Sequence, residues 1–214
     1  MASAPALAYP AGMIWLSSPD DIAESLPAAW LVATPERPAT LPERSALRRG
    51  MAARILARQL GLPLEVIAIG HEAAGRPLVD SPRGSGLHLS LATRAGVVAM
   101  ALAHRPVGVD VEAVEAGATL PAGVLHPEEG DWLLTLPQER RPLNFARLWS
   151  AKEAYVKALG TGFLRPPESF GVTLLPGGEL LVRDPAGPAA ASGFSRTIEN
   201  GGQEILAAAM VVLR

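Results

Sequence analysis

Two stretches of this chain repeat one order: a long helix closed by Leu-Gly, then several short strands. The first helix is "ERSALRRGMAARILARQLGLP", residues 43–63. Leu47, Met51, Ile55, Leu56 and Leu60 recur in it at helical spacing, and Gly61 with Pro63 stops it. "LEVIAIG", "GLHLSLAT", "GVVAMALAH" and "VGVDVEAV" follow as strands divided by turn residues. The second helix spans 142–159, opened by Pro142 and ended by Gly160. After it come "SFGVTLL", "GELLVR" and "EILAAAMVVL", the last of which also reads as helix. A short helix starts at "HPEEGDWLLTLP", and "GMIWLSS" in the Pro- and Ala-rich first 43 residues reads as an edge strand. The repetition predicts an α+β fold of two similar lobes, residues 1–115 and 116–214, with a junction near "AVEAGATLPA" (113–122). A cleft between paired lobes is then the expected site.

Composition narrows the function. The chain has 214 residues, 49% hydrophobic and 19% charged, the balance of a globular protein with a core of ordinary size. It has no cysteine, which excludes disulfides, thiolate catalysis and cysteine-ligated zinc. A net charge of −2 argues against bulk nucleic-acid binding. "MASAPALAYPAGMIWL" lacks a basic leader and no long uncharged apolar run has helical character, so neither a signal peptide nor a membrane span is expected. The expected location is cytoplasmic.

The second helix holds a misfit. Leu148, Ala151, Tyr155, Val156 and Leu159 share an apolar arc, yet Lys152 falls near its middle. Glu153 and Lys157 sit four residues apart on the other side. A surface ion pair and a snorkelling lysine explain these singly. On the strand "VGVDVEAV", Val107, Val109 and Val111 face one way while Asp110 and Glu112 face the other. Two acids on one strand face are either solvated at a sheet edge or hold a divalent cation such as Mg²⁺. Together, three carboxylates and two ammonium groups are the equipment of phosphoryl transfer. Arg44, Arg48, Arg49, Arg54 and Arg58 form a basic helix face, of which one or two near the helix start are suited to a phosphorylated ligand. His71, His88, His104 and His126 show no metal spacing, and no serine-hydrolase elbow, P-loop or dinucleotide fingerprint is present.

"GVDVE" at 108–112, followed by "WSAKEAYVKALGTGF" at 149–163, resembles the paired signature of the 4′-phosphopantetheinyl transferases. The length resembles the two-lobed, surfactin-synthetase-activating branch. "GRP" at 75–77 and "ERSALRR…ARQLG" extend the likeness upstream, over roughly residues 44–175. The resemblance implies a monomeric pseudo-dimer that moves the phosphopantetheine arm of coenzyme A onto a serine of an acyl or peptidyl carrier protein, releasing adenosine 3′,5′-bisphosphate. It implies Mg²⁺ on Asp110, Glu112 and Glu153. Lys152 and Lys157 match the family's lysines, Lys157 near the coenzyme A phosphates. Arg44 and Arg76 match phosphate-contacting positions, and Ser90 a cofactor-contacting serine. Glu129 resembles the base that deprotonates the acceptor serine, with Glu128 its rival. One departure stands out: "LHLSLAT" keeps Ser90 but has Leu91 where the family places histidine. That departure favours a rival reading, a non-catalytic relative that binds coenzyme A or a carrier protein. A phosphohydrolase that uses water as acceptor is a second rival.

Overall fold

The computed structural model describes residues 13–214 except 74, 116, 118, 119, 162, 163, 188, 189, 202 and 203. Parts of the expected 113–122 junction, and the last two residues of the 149–163 signature, lie outside the described residues.

The elements in order are β1 (Ile14–Leu16), β2 (Ala28–Ala33), α1 (Leu41–Leu60), β3 (Ala68–His71), β4 (Pro77–Ser81), β5 (His88–Arg94), β6 (Val97–Ala103) and β7 (Val107–Ala113). Then follow α2 (Pro127–Thr135), α3 (Arg141–Leu159), β8 (Gly171–Leu174), β9 (Glu179–Arg183), β10 (Ala191–Asn200) and β11 (Glu204–Leu213). The fold is α+β, with one six-stranded sheet in the order β1-β2-β6-β5-β4-β3 and one five-stranded sheet in the order β7-β11-β10-β9-β8. β1 lies at a sheet edge, as its sequence suggests, and it alone among the described pairings runs parallel to its neighbour.

Both long helices form where their punctuation places them. Thr40 caps α1 in a capping box with Glu43, and Gly61 closes it in the left-handed region at φ 64°. Gly160 closes α3 in the same way at φ 71°. Three apolar layers result. Trp30, Ile55, Leu56, Met100 and Leu102 pack α1 on the first sheet. Ala29, Leu31, Ala99 and Ala101 meet Val107, Val109, Val111, Leu206 and Met210 between the two sheets. Leu148, Ala151, Tyr155, Phe170, Ala209 and Val211 pack α3 on the second sheet. β11 is strand along its whole length because its alternate side chains fill two different cores, a burial pattern no single helix face supplies.

β7 occupies a special position. Its backbone pairs with β11 of the second sheet, whereas a division at residue 115 assigns it to the first lobe. Its valines face the layer between the sheets, which leaves Gly108, Asp110 and Glu112 toward α3. A side chain at Gly108 would overlap the Ala154 carbonyl oxygen, so glycine here lets α3 lie directly against the strand. No helix among the described residues is long and apolar enough to cross a membrane.

Candidate active site

The contact between β7 and α3 gathers Asp110, Glu112, Glu153 and Lys157. Lys157 Nζ donates to Asp110 Oδ1 at 2.7 Å and to the Val109 carbonyl at 3.2 Å. Asp110 is buried, and its Oδ2 has no hydrogen-bond partner among the described residues. Burial pushes the Asp110 carboxyl above its usual range and outweighs the opposing pull of Lys157. Glu112 is pushed up to about 7, first by burial and then by the charge of Asp110, with Glu153 adding a smaller push. Arg94, 3.5 Å from Glu112, pulls the other way. Burial and Asp110 raise Glu153 as well. Asp110 is thus the hub of three mutually repelling acids.

Among the described residues no three acidic or imidazole side chains already form a metal cage. The chemistry of the donor set fits a hard cation all the same. Asp110 offers a buried oxygen with no partner, and the two glutamates are destabilised as anions by the same charge. What a cation would have to do is draw Glu112 and Glu153 inward and compete with Lys157 for Asp110.

Lys152 and Glu129 stand apart from this cluster. Lys152 is fully buried, and its ammonium donates to the carbonyls of Pro167 at 2.8 Å and Phe170 at 2.6 Å. It pairs with Glu129 Oε2 at 2.9 Å and lies 4.4 Å from the centroid of the Phe170 ring. Glu129 is also buried. Its Oε2 accepts from the His126 backbone, closing the capping box of α2, and its Oε1 accepts from Val172 at 2.6 Å. Every oxygen that a base would use is already engaged within the protein. Lys152 and Glu129 are thus engaged with each other and with backbone groups, apart from the Asp110 cluster. Glu128 is exposed and lies 3.8 Å from Arg183.

A cleft opens beside the other end of α3. Arg48 and Arg49 from α1, His71 from β3, Arg76, Ser90 and Leu91 from β5, and Lys157 all line it. No carboxylate is among its lining residues, so the cleft is built for an anion. Burial lowers the Arg48 pKa, followed by the nearby charges of Arg44 and Arg49. Arg44 is exposed and is not among the lining residues; the cleft-facing arginines lie one turn further along α1. Ser90 is buried with its hydroxyl oxygen accepting from the Val109 amide at 3.0 Å, which ties β5 to β7 one residue before Asp110. Leu91 points to the α1 side of the sheet and is partly packed in that core. His71 lines the cleft, while Arg94 pairs with Glu112 and Glu115.

A family profile described as the 4′-phosphopantetheinyl transferase superfamily matches residues 106–209, the span from β7 into β11 that carries the acid cluster. Over that span the chain is similar to this superfamily. Curated transferases of that name are similar to it at 30% identity. Gsp of Aneurinibacillus migulanus matches over 128 residues, 59% of this chain and 52% of that protein. Psf-1 of Bacillus pumilus matches over 144 residues, 64% and 61%. HetI of Nostoc sp. matches over 125 residues, 56% and 53%. The matched region therefore spans about half to three fifths of the length of these 4′-phosphopantetheinyl transferases.

Proposed function

We propose that this protein transfers the 4′-phosphopantetheine arm of coenzyme A to a serine hydroxyl of an acyl or peptidyl carrier protein. The observation that carries the reading is the continuity between a carboxylate-free cationic cleft and the Asp110 cluster, joined through Ser90 and Lys157. Arg48, Arg49, Arg76 and Lys157 are suited to the phosphates of coenzyme A. The serine oxygen forms a bond to the phosphorus that bears the pantetheine arm, and the pyrophosphate bond to it breaks. Adenosine 3′,5′-bisphosphate leaves with the bonding electrons. The serine proton passes to a solvent base at the cleft, since the three acids of the cluster are committed to the cation.

Asp110, Glu112 and Glu153 would hold Mg²⁺, which when bound neutralises phosphate oxygens in the transition state. Lys157 serves both ends of the site, since its ammonium already stands between Asp110 and the cleft. Cluster and cleft would work on one pyrophosphate.

Leu91 favours a second reading, binding without turnover, because it places hydrocarbon on the cleft wall. Intact-mass measurement of an apo carrier protein incubated with the protein, Mg²⁺ and coenzyme A separates the readings. Gain of the phosphopantetheine mass is the expected result. Release of free phosphopantetheine identifies a hydrolase instead, and no product with measurable coenzyme A binding identifies the non-catalytic binder.

A further inference from the structure

The anion cleft sits at the unfavourable end of a helix. The C-terminus of α3 carries unpaired carbonyls and a partial negative charge, and both Lys157 and Gly160 line the cleft there. An anion placed at that end would be repelled unless something covers the carbonyls. Arg76 covers them. It comes from the segment just before β4, in the first sheet, and its Nη2 donates to the Ala158 carbonyl, with the Lys157 carbonyl 3.5 Å away. Its guanidinium occupies the space where a side chain at position 160 would otherwise project, so the absence of a Cβ at Gly160 is what lets it lie over the helix end. Its Nε is buried without a hydrogen-bond partner among the described residues, and the rest of the group lines the cleft.

Arg76 therefore spans the two sheets' halves of the molecule and grips the turn of helix that carries Lys157. The same turn places Lys157 Nζ against Asp110 and the Val109 carbonyl. Terminal turns fray readily when their carbonyls are unpartnered. A lysine at position 76 would keep the charge but not the planar fork that can address a carbonyl and an anion at once.

We propose that Arg76 is a positioning residue, clamping the last turn of α3 to the first sheet so that Lys157 stays in reach of both Asp110 and an anion in the cleft. The identity of that anion rests on the function proposed above; the clamp does not. The test is amide hydrogen exchange on the ligand-free protein, comparing wild type with Arg76→Lys, Arg76→Gln and Arg48→Gln. Arg48→Gln removes a cleft cation that does not bond to α3. Exchange at residues 157–160 should be at least roughly tenfold faster in both Arg76 variants, with Arg48→Gln matching wild type, because local opening sets the rate. Unchanged exchange in Arg76→Lys, the variant least disturbing to folding, overturns the clamp, and so does equal acceleration by Arg48→Gln. Transfer kinetics with coenzyme A give the second readout: Arg76→Lys should lower kcat more than it raises KM. A rise in KM alone would make Arg76 a ligand contact and nothing more. A wild-type protein that transfers nothing would overturn the proposed function, while the exchange result would still decide the clamp.

Discussion

Lys157 Nζ holds one oxygen of the Asp110 carboxylate at 2.7 Å while the other oxygen, buried, holds nothing among the described residues. The pair is half of a site, with a cation on one side and an open ligand position on the other. Lys157→Ala removes the largest stabiliser of the Asp110 charge, so it should cost about 2 kcal/mol at pH 8. The sign follows from burial. The Asp110 pKa is already raised in the folded state, so its contribution declines as pH rises above the unfolded value, and losing Lys157 makes the decline steeper. Denaturant titrations at pH 5 and pH 8 should show the larger deficit at pH 8. In the double variant Asp110→Asn, Lys157→Met most of the stability should return. Equal deficits at both pH values would mean the two charges are not coupled.

Glu112 should govern a wider pH dependence. Its pKa rises from 4.5 in the unfolded chain to about 7 in the fold, so between those values the folded state binds more protons and stability falls as pH rises. The loss amounts to something on the order of 3 kcal/mol by the upper end of that window. Glu112→Gln should flatten the profile and be the more stable protein at pH 8. Mg²⁺ should raise the thermal midpoint of wild type at pH 8 and have less effect at pH 5, where Glu112 is protonated. A Mg²⁺ response that is the same at both pH values, or that survives in Asp110→Asn, argues against the acid cluster as its site.

The Lys152–Glu129 pair should behave as structure. Breaking a buried pair by removing one partner typically costs about 3–5 kcal/mol. Lys152→Met and Glu129→Gln should each fall in or near that range, and Lys152→Met combined with Glu129→Gln should be less destabilised than the two losses summed. At a temperature where Glu129→Gln remains folded, transfer activity should persist. A well-folded Glu129→Gln protein that has lost all activity would restore Glu129 as the base.

Leu91→His tests the departure at the cleft wall. An imidazole there should strengthen coenzyme A binding by up to about 1.5–3 kcal/mol when it is charged, minus the packing the leucine gives up. Calorimetry should therefore show a lower Kd for Leu91→His than for wild type at pH 6 and a smaller gain at pH 8. No gain at pH 6 would mean that His71 and the arginines already saturate the phosphates.

What could be read from the chain was whatever period and punctuation encode. The alternation along 107–113 put Asp110 and Glu112 on one face, the i,i+4 spacing put Glu153 beside Lys157, and the Leu-Gly stops ended both long helices where they end. Relations set by distant residues were not legible. Lys152 looked like a residue able to snorkel, and its true partners are carbonyls 15 and 18 residues further on. Arg76 reaches a carbonyl 82 residues away. That Arg48 and Arg49 line the cleft follows from how α1 is rolled against its sheet, which periodicity leaves open within a turn. β2 escaped notice because "AAWLVA" is buried on both faces and shows no alternation, and β10 because "ASGFSRTIEN" carries the polar residues of a loop.

β8 lies at the outer edge of the second sheet, where backbone groups would ordinarily face open water and invite another chain to pair. Glu129 takes the Val172 amide and Lys152 takes the Phe170 carbonyl, the groups from which such pairing would start. An incoming strand finds the edge already spoken for by two opposite charges that cannot leave without being stranded in an apolar interior. The buried ion pair thus acts as a seal against self-association, and its loss should show in sedimentation as aggregation from a population that is still folded.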